Sequence, residues 1–109
     1  MMSSERKWEL YRGGVFLGVV TCAPDEGDFP WLIGYLAPMP EYENVRNLFE
    51  REDEAMNRAM ESGSEEDQHA ADELLMEILA PGIRFKELSG GKWWEANGIS
   101  IAGYRVGWR

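Results

Sequence analysis

The sequence holds one cysteine, Cys22, and one histidine, His69. A single cysteine excludes an intramolecular disulfide, and with it the stapled architecture of small secreted domains. The expected compartment is therefore the cytoplasm. A single histidine leaves little material for a metal centre or for a nucleophile paired with a base. Positive charge is also scarce: 11 Lys and Arg face 20 Asp and Glu, for a formal net charge of −9. A nucleic-acid binder needs a basic face, and so does an anchor on an anionic membrane, so neither partner is expected. Long apolar runs are missing too. The longest, over 15–20 and 31–37, fall well short of the roughly 18 residues that cross a bilayer. The opening Met1-Met2-Ser3-Ser4-Glu5-Arg6-Lys7 runs directly into Trp8, and no signal-peptide core is predicted there.

What the chain does contain is apolar and aromatic material. Hydrophobic residues make up 44% of its 109 positions, enough to fold and too many for a disordered chain. That length suits one domain over 1–109. Five of the aromatic residues are Trp, and each can bury a large area in a core that no disulfide supports. The acid is concentrated. Residues 41–77 carry 13 acids and three bases, Arg46, Arg51 and Arg58, so this stretch alone is −10 and the remainder is +1.

Hydropathy patterning orders the elements. Residues 7–22 read as a β-hairpin around Gly13-Gly14, a pair that tolerates the positive φ of a two-residue turn. That register sets Leu10 opposite Leu17 and Trp8 opposite Val19. Trp8, Leu10, Leu17 and Val19 then form the core face, and Tyr11 and Phe16 a cross-strand pair on the other. Residues 23–30 form a loop of turn formers and acids. Residues 31–37 form a third strand, apolar enough to be covered on both faces. A helix is predicted over 41–61, with Pro40 before it and Gly63 and Ser64 marking the break to a second helix over 65–79. Residues 83–88 alternate as a fourth strand. Two turns compete in the tail, Asn97-Gly98 and Ala102-Gly103, and the sequence leaves that choice open. The expected class is α+β: a mostly antiparallel sheet of about five strands, order βββααββ, packed on one face by a two-helix hairpin.

Few residues offer chemistry. On a helical wheel of the first helix, Tyr42, Val45, Leu48, Phe49, Ala55, Met56, Ala59 and Met60 share one side. Glu52 falls in the middle of that stripe, aimed at the sheet. One expectation pairs it with Arg12, Arg84 or Arg105, or lets a bend carry it to water. The other makes it an acid/base or ligand-anchoring group in a helix–sheet pocket, and so the one candidate catalytic residue. Glu66-x-x-His69 has the spacing of a di-metal bundle motif, but one copy is not enough, and His69 falls on the polar side beside Glu73. Cys22 has no base near it in sequence. Asp25, Glu26 and Asp28 do not match an EF-hand. The glycines sit in turns or strands, so no phosphate-binding loop is visible, and neither a metal nor another cofactor is expected. Trp31, Trp93, Trp94 and Trp108 are candidate partner contacts, since an exposed Trp is a typical interface anchor. Trp93 and Trp94 must point to opposite faces of a strand.

At Trp8-x-Leu10, Gly18, Asp28-Phe29-Pro30-Trp31, Gly34, Pro38 and Glu43-x-x-Arg46-x-x-Phe49, the chain resembles a family of small uncharacterised bacterial proteins with a DFPW-type motif. The resemblance implies a small bacterial α+β domain and no assigned activity, so no catalytic residue carries over. The functional expectation is a non-enzymatic acidic protein that binds a basic protein partner, in the manner of an immunity protein or antitoxin, or that forms a homodimer. The alternative is a small-ligand-binding protein or hydrolase built around Glu52.

Overall fold

The computed structural model describes residues 6–22 and 31–109. The loop expected over 23–30 lies outside the described residues, as do Asp25, Glu26 and Asp28 and the Asp28-Phe29-Pro30 part of the motif. Seven strands are present among the described residues: β1 (Arg6–Arg12), β2 (Val15–Cys22), β3 (Leu32–Pro38), β4 (Ile83–Glu87), β5 (Trp93–Glu95), β6 (Ile99–Ala102) and β7 (Arg105–Trp108). Helices α1 (Arg46–Ser62) and α2 (Glu65–Leu79) separate β3 from β4. The class is α+β as expected. The strand count is not: the order βββααββ leaves one strand for the tail, which supplies three short ones, β5, β6 and β7.

All pairings are antiparallel, in the order β5-β4-β1-β2-β3-β7-β6. Laid flat, six strand spacings would put the edges β5 and β6 roughly 29 Å apart. Yet only Ala96-Asn97-Gly98 separates them in sequence, a link that spans at most about 14 Å. The sheet must therefore curl. Phe85 of β4 and Trp108 of β7 confirm it: four strand steps apart, roughly 19 Å in a flat sheet, their rings stack 4.4 Å apart at 15°. Trp8 of β1 meets Trp108 edge-on at 6.2 Å. The core lies inside this curl, where Leu10, Val20, Phe85, Ile99, Ile101 and Val106 are fully buried.

Gly13 (φ 56) and Gly14 (φ 83) make the expected turn and set Arg12 opposite Val15 and Tyr11 opposite Phe16. Beyond them a bulge places Leu17 and Gly18 together opposite Leu10, and Trp8 then faces Val20, not Val19. The bulge changes the alternation, so Leu17, Val20 and Cys22 are buried and Val19 is not. Gly18 is required there. At φ 150, a Cβ would sit 2.5 Å from the Ala37 carbonyl oxygen and 2.8 Å from Leu36 Cδ1.

The third strand is not covered on both faces: Gly34 and Leu36 are buried while Tyr35 is 49% exposed. The helix expected over 41–61 is two pieces. Pro40–Asn44 forms a 3₁₀ turn that buries Tyr42, and Val45 (φ −120, ψ −2) interrupts it before α1 begins. Gly63 ends α1 with φ 64, and the Ser64 hydroxyl accepts from the Asp67 amide at 3.1 Å, the cap read from sequence. The helices pack on each other as a hairpin, but they do not blanket a sheet face. Helix α1 lies along β6, and Phe49 and Ile78 enter the core from this side. In the tail neither expected turn is used as such. Ile99 pairs with Trp108 and Ile101 with Val106 around Gly103-Tyr104, one residue past the Ala102-Gly103 alternative. Asn97 and Gly98 instead bridge the two sheet edges, bonded to the Arg109 backbone at 2.7 and 3.0 Å.

Candidate functional site

Glu52 is 1% exposed and is the one buried charged side chain among the described residues. It projects from α1 toward β6, where the Ser100 hydroxyl donates to its Oε1 at 3.0 Å. None of the expected arginines reaches it. Arg12 donates to the α2 carbonyls of Ile78 and Glu77, both at 3.0 Å. Arg84 and Arg105 are exposed. Burial raises the Glu52 pKa above the usual carboxylate range, the Ser100 hydrogen bond works against that, and Asp53 adds to it. Glu52 lines neither of the two cavities described below.

The tryptophans separate. Trp108 is fully buried, packed between Trp8 and Phe85, so its surface is committed to the core and it presents nothing to a partner. Its Nε1 is the one buried side-chain nitrogen or oxygen among the described residues without a hydrogen-bond partner. Trp31 is half-buried under the Arg109 guanidinium, 5.3 Å from its ring. Trp93 and Trp94 do point to opposite faces. Trp94 lies on the Trp8 side, meeting that ring edge-on at 6.2 Å while staying 38% exposed, and Trp93 stands on the outer face, 50% exposed. His69 is solvated, with Nε2 3.0 Å from Glu73 Oε1. Cys22 is buried, and its thiol donates to the Ile33 carbonyl at 2.9 Å. Among the described residues no three His, Cys, Asp or Glu side chains gather where they could hold a metal ion.

The outer face around Trp93 forms a cleft of about 520 Å³. Register builds its floor. Tyr11 pairs with Arg84 across β1–β4, and Arg84 with Glu95 across β4–β5, so the three side chains stand in one row. Trp93 lies in the next row, and its ring is 5.4 Å from that of Tyr11 at 48°. Phe16 continues the aromatic surface at 5.4 Å on the far side of Tyr11. The Tyr11 hydroxyl donates to Glu9 Oε1 at 2.9 Å, a bond that fixes the ring and raises the phenol pKa. The rim is backbone: the Gly13-Gly14 turn and the Pro81-Gly82 loop, tied by Gly13 N–H to the Gly82 carbonyl at 2.9 Å. Alternation in the sequence puts Tyr11 and Phe16 on the non-core face and sets Trp93 and Trp94 on opposite faces, but it does not choose between the two Trp or join either to Tyr11. Only the β1–β4 pairing, across 70 intervening residues of chain, brings them together.

The second cavity, about 370 Å³, lies between the helices and is lined by Arg51, Ala70, Glu73, Leu74 and Glu77. The acids of the helical stretch otherwise face outward, apart from Glu52 and the half-buried Asp53 and Asp67. Arg46 is taken up by Glu43 and Glu50, both at 3.1 Å. No helix among the described residues is long and apolar enough to cross a membrane. No family model, curated protein or solved structure matches the chain.

Proposed function

We propose that this protein is a non-enzymatic binding module whose acidic helical hairpin receives a basic macromolecular partner. The observation behind this reading is segregation of charge. The 41–77 stretch carries −10 and folds as the helical side of the molecule, with most of its carboxylates exposed and a groove between the helices edged by Glu73 and Glu77. Such a field speeds encounter with a basic surface and selects against acidic ones. An inhibitor of the immunity or antitoxin type is one concrete form of this function.

The test is affinity capture on the purified protein, with each captured partner identified and its affinity measured against salt. A basic protein should bind, and should weaken steeply from about 0.1 M to about 1 M salt as the screening length falls from about 10 Å to about 3 Å. The paired reversal Glu73→Lys with Glu77→Lys should abolish capture. A partner that binds equally well in high salt, or that ignores the reversal, removes this reading.

A further inference from the structure

The outer-face cleft meets the acidic helices only at the C-terminal end of α2, Leu79 and Ala80, and its chemistry differs. Two ionic groups line it, the Arg84 guanidinium and the Glu95 carboxylate. They are neighbours across the β4–β5 ladder, yet both are exposed and neither makes a side-chain hydrogen bond or ion pair among the described residues. Side by side they sum to zero charge. An anionic ligand would meet Glu95 and the overall −9 of the chain. A cationic ligand would meet Arg84, with Lys86 held near Trp93 at 5.7 Å. A neutral ligand avoids both penalties and can use both groups, if adjacent atoms on it accept from the guanidinium and donate to the carboxylate.

The rings narrow the choice. Trp93 and Tyr11 meet at 48°, so no flat molecule can lie parallel to both. A puckered ring that presents C–H groups on more than one side can touch both, and apolar contact with an exposed Trp is the main source of affinity. Adjacent hydroxyls on such a ring each donate and accept, which is what Arg84 and Glu95 require. The cleft volume is in the range of small-molecule sites, and the aromatic surface runs on to Phe16, beyond the space one ring occupies. We propose that this cleft binds a neutral saccharide, with Trp93 and Tyr11 as the stacking floor and Arg84 and Glu95 gripping a pair of neighbouring hydroxyls.

The experiment is an NMR titration of the full chain with cellohexaose, maltohexaose, xylohexaose and hexa-N-acetylchitohexaose, all neutral, following the indole N–H signals of its five Trp. At least one sugar should shift the Trp93 signal saturably and leave that of buried Trp108 in place. Trp93→Ala should weaken binding about tenfold or more, the loss expected when one large ring contact is removed. Arg84→Ala, an exposed position that leaves the core untouched, should weaken it comparably, and Glu73→Lys should not change it. Three results overturn the proposal: no saturable shift with any of the four sugars at millimolar concentration, binding that survives both Trp93→Ala and Arg84→Ala, or preferential binding of adenosine or guanosine, which would assign the cleft to flat bases. None of these bears on the helix-face reading, which is tested by salt and charge reversal.

Discussion

Glu52 shows how one residue can be legible in sequence and still be misjudged in its surroundings. Its place in the apolar stripe of α1 follows from 3.6 residues per turn, and the structure buries it as that spacing requires. Its partner does not follow from spacing. The arginines considered for it lie elsewhere, and Ser100 meets it because β6 happens to run beneath α1. The consequence is a pH dependence of definite sign. Burial raises the folded-state pKa above the ordinary 4.5, so the native state holds the proton more tightly than the unfolded chain. The stabilisation this gives is complete below the unfolded value and is lost as pH rises through the raised folded value. Glu52→Gln keeps an oxygen for the Ser100 hydroxyl and removes the charge. It should therefore melt at a higher temperature than the parent at about pH 7, with the gap closing toward about pH 4. Thermal scans across that range check it; a variant less stable at neutral pH would show that the carboxylate is stabilised by something other than Ser100.

At the scale of elements, helix α2 depends on a distant strand. Its first turn carries Glu65, Glu66 and Asp67, which suit the positive end of the helix, but its last turn has no basic residue. Arg12 of β1 supplies the missing cation by donating to the terminal carbonyls of Glu77 and Ile78. This contact, with the Gly13–Gly82 hydrogen bond beside it, fixes the hairpin turn against the α2–β4 loop and shapes the rim of the cleft. Arg12→Ala should cost about 1–2 kcal/mol, from the loss of charge-assisted bonds at a helix C-terminus. Chemical denaturation measures that cost directly. Hydrogen exchange should locate the loosening in the last turn of α2 and leave α1 unaffected.

Over the whole molecule the decisive feature is the curl of the sheet. It brings Trp108 of β7 onto Trp8 and Phe85 of the neighbouring strands β1 and β4, on the far side of the sheet order, as one packed group. Trp108 therefore works as a keystone of the core and not as an interface anchor. Trp108→Ala should destabilise by about 3–5 kcal/mol, since it empties the centre of the curl and leaves a cavity its neighbours cannot close. Trp93→Ala, on the outer face, should stay within about 1 kcal/mol of the parent. Equilibrium unfolding of the two variants separates them; similar losses in both would contradict the division into inner and outer Trp.

Local chemistry is enough to place the Gly13-Gly14 turn, the Gly63 and Ser64 caps, the amphipathic helices and the opposed faces of Trp93 and Trp94. Each depends on backbone dihedrals or side-chain spacing within a few residues. The order of charged residues along the chain also sets the −10 of the 41–77 stretch. Spacing could not supply the bulge at Leu17-Gly18, which turns Val20 inward in place of Val19. It could not supply the use of Asn97-Gly98 as an edge-to-edge link, or the burial of Trp108, or the assembly of Tyr11, Arg84, Trp93 and Glu95 into one cleft. Those features come from pairing between strands far apart in the chain. Which strands pair is decided by how the whole apolar surface can be enclosed, and no short window of sequence carries that information.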